Sequence, residues 1–132
     1  MEVVDNTGNP LSIPIANPFA LLWMSVIIAA PWAAFLEDRL RSAPPTAESP
    51  WSLKLYTDGA TPGDPLTPMN KRKFQACYLS FLELEANALS REESWFAVMT
   101  ELDTVVAEVS ASLSQLVACT IRIWFVPGWV QH

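Results

Sequence analysis

Residues 6–36 carry no charged side chain, and within them the segment 18–36, PFALLWMSVIIAAPWAAFL, is almost wholly apolar. Such a run has to leave water, and it reaches roughly the 20 residues that cross a bilayer. A membrane span and a buried helix are therefore the two outcomes open to it. A cleavable leader fits poorly, because Glu2 and Asp5 make the start acidic where a leader is basic. For a span, Arg39 and Arg41 would mark the cytoplasmic side, although Glu37 and Asp38 stand among them. Asn17 before Pro18 is a good helix start, with Asn as the cap and Pro where its missing N–H costs nothing. Pro31 then interrupts the run. An interior proline costs about 3 kcal/mol in a helix, so a kink or two shorter helices meeting there are expected. Membrane helices tolerate such a proline better, and composition alone favours a soluble protein over a membrane one.

The chain has 132 residues, enough to bury one core and too few to divide comfortably into two. With 51% hydrophobic and 17% charged residues, disorder is not expected outside the ends and the proline-rich stretches. A net charge of -6 argues against a protein whose main task is to grip nucleic acid, since phosphate binding rests on clustered Lys and Arg. The one compact basic run, Lys71, Arg72 and Lys73, lies in a connection and is better read as a solvated loop. Cys77 and Cys119 have no metal-ligand spacing and sit in apolar runs, which favours reduced core thiols and an intracellular setting.

Residues 42–50, SAPPTAESP, form a proline-rich linker that divides an N-terminal apolar helical segment, 1–50, from a second region, 51–132. In that region residues 51–58, WSLKLYTD, alternate as a strand does, with Trp51, Leu53, Leu55 and Thr57 on one face. GATPGDPLTP follows as a loop. Residues 74–84 read as a second strand buried on both sides, which is how a central strand looks. Ser90 and Glu93 offer a capping box for one helical turn, and residues 95–100 a third strand. Thr100 with Asp103 would cap a helix whose apolar positions Val105, Val106, Val109, Leu113, Leu116 and Val117 recur along one face. Residues 119–125, CTIRIWF, are β-branched and aromatic and read as a fourth strand. The order is strand, strand, strand, helix, strand. It predicts an α/β fold: a three-stranded antiparallel meander, a right-handed crossover helix and a fourth, parallel strand, preceded by the N-terminal apolar helix.

Leu55-Tyr56-Thr57-Asp58-Gly59-Ala60 resembles the first-strand motif of ribonuclease H-like enzymes, in which a strand-end Asp precedes Gly and a small residue. Over a longer span, LKLYTDGATPGDPLTPMNKRKFQACYLSFLELEANALSREESWF is similar to transposon-related, multi-copy proteins of eukaryotic genomes, those of dinoflagellates especially. The likeness runs from about Pro18 to Phe125. Its most specific parts are Asp58, the Pro65-Leu66 and Arg72-Lys73 pairs, and the segment from Leu89-Ser90 to Trp95-Phe96. The resemblance implies a partial ribonuclease H-like core and a soluble helical role for the apolar segment.

In that superfamily carboxylates from several strands and a helix hold two metal ions, usually Mg²⁺, that stabilise the attacking and leaving oxygens of phosphodiester cleavage. Asp58 is the one residue that matches, as a vestigial catalytic and metal-binding carboxylate. The family plan has a second Asp at the end of the fourth strand, and here Val126 to His132 contain no acidic residue. Glu83, Glu85 and Glu108 are substitutes only in principle. Asp before Gly is also a common turn residue, so Asp58 has a plain structural reading as well. His132, terminal and the sole histidine, offers no base with a fixed partner. The expectation is a truncated and catalytically inactive relative of a ribonuclease H-like transposase, with no cofactor and with Mg²⁺ only if a site is completed. Two other classes stand beside it. One is a small single-span membrane-anchored interaction protein using residues 18–36. The other is an interaction module that self-associates through an uncovered fourth-strand edge and the C-terminal tryptophans.

Overall fold

A computed structural model describes residues 1–61 and 72–125, with Phe125 described through its backbone alone. The chain is mixed α/β, with a three-stranded antiparallel sheet and several helices. It opens with a short hairpin, β1 (Glu2–Val4) and β2 (Pro10–Ser12), in which Val3 faces Leu11. Its turn is built on Asp5, whose carboxylate accepts from the Thr7 and Asn9 amides at 2.8 and 2.9 Å, and Gly8 takes the left-handed φ of 87° that closes it.

The apolar run then forms two helices, α1 (Pro18–Ile28) and α2 (Ala30–Ser42), bent by 116° at Ala29. Asn17 caps α1 through its side-chain oxygen, which accepts from the Phe19 and Ala20 amides. The break falls ahead of Pro31 because proline is tolerated in a first turn but not four residues into a helix, where its ring meets the carbonyl behind it. No single described helix is long and apolar enough to cross a membrane.

The sheet follows, with β3 (Leu53–Ala60), β4 (Phe74–Phe81) and β5 (Phe96–Leu102) in the order β3-β4-β5. Strand β4 is central, and Ala76, Cys77, Leu79 and Ser80 are all buried, on both faces of the strand. It ends at Phe81, where Leu82–Leu84 tighten into a 3-10 turn that leads into α3 (Glu85–Leu89). The expected capping box does not form: Ser90 Oγ donates to the Asn87 carbonyl, and Arg91 precedes a second 3-10 turn, Glu92–Ser94, with no side-chain cap. Thr100 likewise lies inside β5, and the cap position of the following helix belongs to Leu102.

After β5 the structure departs from the expected order. The single long helix is two helices, α4 (Asp103–Glu108) and α5 (Ser112–Phe125). Val109 between them bridges to Asp5, the Ser110 amide donates to the Val4 carbonyl at 2.9 Å, and Ala111 and Ser112 take left-handed φ values of 57° and 48°. The fourth parallel strand is absent: residues 119–125 continue α5. Burial explains why. Leu116, Thr120 and Trp124 are all buried at a spacing of four, and the Thr120 hydroxyl donates back to the Leu116 carbonyl at 2.7 Å, as a helical threonine does. Tertiary packing of that stripe outweighs the β preference of Thr120, Ile121 and Ile123. Among the described residues there is therefore no fourth parallel strand and no crossover, and residues 119–125 offer no strand edge to pair with a partner.

By contacts the chain divides into two compact units. One comprises residues 1–15, 57–77 and 99–132, the other residues 16–56 and 78–98. In the first, Val3, Ile13, Val106, Val109 and Leu116 form the core; in the second, Leu36, Leu79, Leu84 and Val98 do.

Candidate functional site

Asp58 lies within β3, exposed, and its Oδ1 accepts from the amide of Gly59 at 2.8 Å. This is a local side-chain-to-backbone bond made within the strand. Of the other carboxylates named from the sequence, those of Glu83 and Glu85 are engaged elsewhere. Both oxygens of Glu83 accept from the Ser52 amide, at 2.9 and 3.0 Å, and Glu85 pairs with Arg39 at 2.8 Å. Glu108 contributes its carbonyl, which accepts from the Asn6 amide at 2.9 Å. Among the described residues no three His, Cys, Asp or Glu side chains come together as metal ligands. Lys71, the Pro65-Leu66 pair, most of the loop after Gly59 and residues 126–132, His132 included, lie outside the described residues.

Of the basic run, Lys73 reaches Asp103 at 3.7 Å and its carbonyl accepts the Asp103 amide at 2.9 Å. That aspartate also accepts from Gln75 Nε2 at 2.7 Å, so the cationic end of β4 is a structural tie. Cys77 and Cys119 are both free thiols, the first buried, and burial raises the Cys77 pKa.

Two other features have a form that binding requires. The first is the outer face of α1. Phe19, Ala20, Trp23, Met24, Ile27 and Ile28 follow the one, four and five spacing of a single helical face, and its five large side chains are between 49% and 74% exposed. Nothing on α1 is fully buried, and its only polar side chain, Ser25, points inward to donate to the Leu22 carbonyl at 2.7 Å. A surface helix normally turns a polar face to water; one apolar all round is normally covered.

The second is a pocket of about 540 Å³ beside the α1–α2 break. Pro31, Trp32 and Phe35 give it an apolar wall, and Asn87, Arg91 and Glu93 a polar one. The Trp32 ring is fixed: its Nε1 donates to Ser25 Oγ at 3.0 Å, and it packs against Phe35 and Phe96 at centroid separations of 5.6 and 6.0 Å. Opposite, Ser94 is buried and its carbonyl accepts the Ser80 hydroxyl at 2.6 Å, which pins the 3-10 turn carrying Glu93. The sequence had one signal for the α1 face, the absence of charge. It had none for the pocket, whose walls are more than 50 residues apart.

Compared with protein-family models, characterised proteins and solved structures, the chain matches none of them.

Proposed function

We propose that this chain acts by binding rather than by catalysis, as a self-associating module whose working surface is the outer face of α1. The observation that carries this is the exposure of Phe19, Trp23, Met24, Ile27 and Ile28 along one uncharged helix. Together they leave roughly 700 Å² of mainly apolar surface in water, close to the ~800 Å² that each partner gives to a standard interface. A second copy is the occupant that best fits. The face carries no charge, so two copies related by a two-fold axis meet without like-charge repulsion. A membrane surface fits less well. Helices that lie in a bilayer interface have a Lys- and Arg-rich polar face, α1 has none, and the chain is acidic. At 11 residues α1 is about 16 Å long, short of the ~30 Å hydrocarbon core.

The test is sedimentation equilibrium of the whole chain alongside a Trp23→Glu/Ile27→Lys variant. Dimers at roughly micromolar concentration in the parent, and monomers of unchanged circular dichroism in the variant, are the expected result. A monomeric parent that floats with phosphatidylcholine vesicles would overturn it in favour of a membrane partner.

Descent from a ribonuclease H-like transposase is a second reading, supported by the Leu55-to-Ala60 motif in β3 and by the antiparallel β3-β4-β5 meander. On this reading the chain is a catalytically inactive relative, in keeping with described residues that bring together no group of three metal-ligating side chains. Mg²⁺-dependent cleavage of DNA or of an RNA–DNA hybrid that disappears in Asp58→Asn would refute it.

A further inference from the structure

Arg91 and Glu93 both line the pocket beside Trp32, carry opposite charges, and make no ion pair with each other or with any described residue. Two neighbouring opposite charges on one mobile loop would ordinarily neutralise one another. Here the 3-10 turn Glu92–Ser94 holds them apart: the Trp95 amide donates to the Glu92 carbonyl at 3.0 Å, the Ser94 amide to the Arg91 carbonyl at 3.2 Å, and buried Ser94 is anchored through Ser80. The side-chain amide of Asn87 is also without a hydrogen bond to the described residues. Facing these three polar groups are a proline and two aromatic rings, and the nearer ring is fixed by its bond to Ser25.

From this we infer that the pocket is a binding site for a small zwitterion with an apolar body, an aromatic α-amino acid being the best match. Its carboxylate pairs with the Arg91 guanidinium, its ammonium with the Glu93 carboxylate, and its ring lies against Trp32 and Phe35. Charge decides between ligand classes. A simple aryl carboxylate would gain Arg91 and be repelled by Glu93, and a simple amine would meet the reverse; only a ligand bearing both charges satisfies both walls. Size agrees, because about 540 Å³ lies within the range of small-ligand sites, ~300–1,000 Å³, and exceeds what the bare zwitterion of an α-amino acid fills without a large side chain. The aromatic choice follows from that excess and from the paired rings.

The site is independent of the α1 face, and its test can be run on the monomeric Trp23→Glu/Ile27→Lys variant as well as on the parent. Two-dimensional ¹H–¹⁵N NMR of the labelled full chain is titrated with L-phenylalanine, N-acetyl-L-phenylalanine and L-phenylalaninamide. Saturable shifts of the Ala88, Arg91 and Ser94 amides by L-phenylalanine, with each blocked derivative weaker by roughly two- to fivefold, are expected. Arg91→Gln should remove the preference for L-phenylalanine over its amide. Glu93→Gln should remove the preference for it over the N-acetyl form. Both side chains are exposed, so these variants keep the fold. Equal binding of all three compounds, or no saturable shift from any, overturns the proposal.

Discussion

Gln75 Nε2 donates a 2.7 Å hydrogen bond to the Asp103 carboxylate, tying β4 to the first turn of α4. Asp103 looks in the sequence like a helix-capping partner of Thr100. In the fold it closes a bracket with Gln75 on one oxygen and Lys73 on the other. The two bonds differ in worth. The Gln75 bond is short, charge-assisted and half-buried, whereas the Lys73 contact is long and lies between side chains 47% and 39% exposed. A double-mutant cycle of Gln75→Ala and Asp103→Ala in urea should give a coupling of about 1–2 kcal/mol, and the cycle of Lys73→Ala with Asp103→Ala no more than about 0.5 kcal/mol.

Residues 119–125 form the end of a helix, and one substitution separates helix from strand there. Proline at Ala118 falls inside α5 but before the strand that β propensity would start at Cys119. Ala118→Pro should lower stability by about 3 kcal/mol or more and reduce helical ellipticity. Leu116→Ala, fully buried, should cost about 2–5 kcal/mol, and the exposed Ile121→Ala less than about 1 kcal/mol, both by urea denaturation.

Glu85 takes φ 69° and ψ 163°, backbone that favours glycine, while its ion pair with Arg39 is made by a side chain 67% exposed. The strain is worth about 1–3 kcal/mol and an exposed pair under about 1 kcal/mol. Glu85→Gly should therefore stabilise the fold by about 1 kcal/mol in thermal or chemical denaturation. Arg39→Ala should destabilise it more than the ion pair alone explains, because Arg39 Nε also donates to the Glu83 carbonyl at 3.1 Å and the side chain is 17% exposed.

The Asp5 carboxylate is held below its ordinary value of 3.8, chiefly by the Thr7 hydroxyl and then by the amide of Asn9. A carboxylate whose folded pKa is depressed stabilises above the unfolded pKa and ceases to do so as pH falls through the folded one. The β1–β2 turn should thus loosen only below the ordinary Asp range. NMR titration of the Thr7 and Asn9 amides should show their shifts collapsing together at a pH under 3.8, and in Asp5→Asn that step should vanish.

The two thiols should separate in reactivity. Burial raises the Cys77 pKa and also blocks access, while Cys119 is half-buried on α5. Under native conditions iodoacetamide should alkylate Cys119 first, with Cys77 labelled only on unfolding, as read by peptide mass spectrometry.

The sheet was the legible part of this fold. In β4 apolar side chains sit on both sides of the pleat over eight residues, a pattern that a surface strand lacks. Asn17 with Pro18 marked the start of α1 through local chemistry that needs no tertiary partner. The β1–β2 hairpin was not legible, because three-residue strands hold too few positions for alternation to show. The break at Val109–Ser112 was hidden for another reason. It is made by bonds to residues more than 100 positions earlier, and its left-handed residues, Ala111 and Ser112, are not the glycines that announce such a turn. For α5 the signal was present and outvoted: the spacing of Leu116, Thr120 and Trp124 continues the helical stripe past Cys119. For Asp58 the sequence supplied a motif, and the structure places it within β3 with its carboxylate bonded to the Gly59 amide.

The hydrogen bonds that join residues 4–6 to residues 107–115 also bear on the order of events during folding. Val4 is met by Ser110 and Gln115, and Asn6 by Ala107 and Glu108. Each of these bonds closes a loop of more than 100 residues, so it is expected to form late in folding. The second unit, residues 16–56 and 78–98, is built from contacts of shorter sequence range. The closure that ties the β1–β2 hairpin to the α4–α5 region is therefore expected to be the slow step of refolding, at a range that no contact within the second unit reaches.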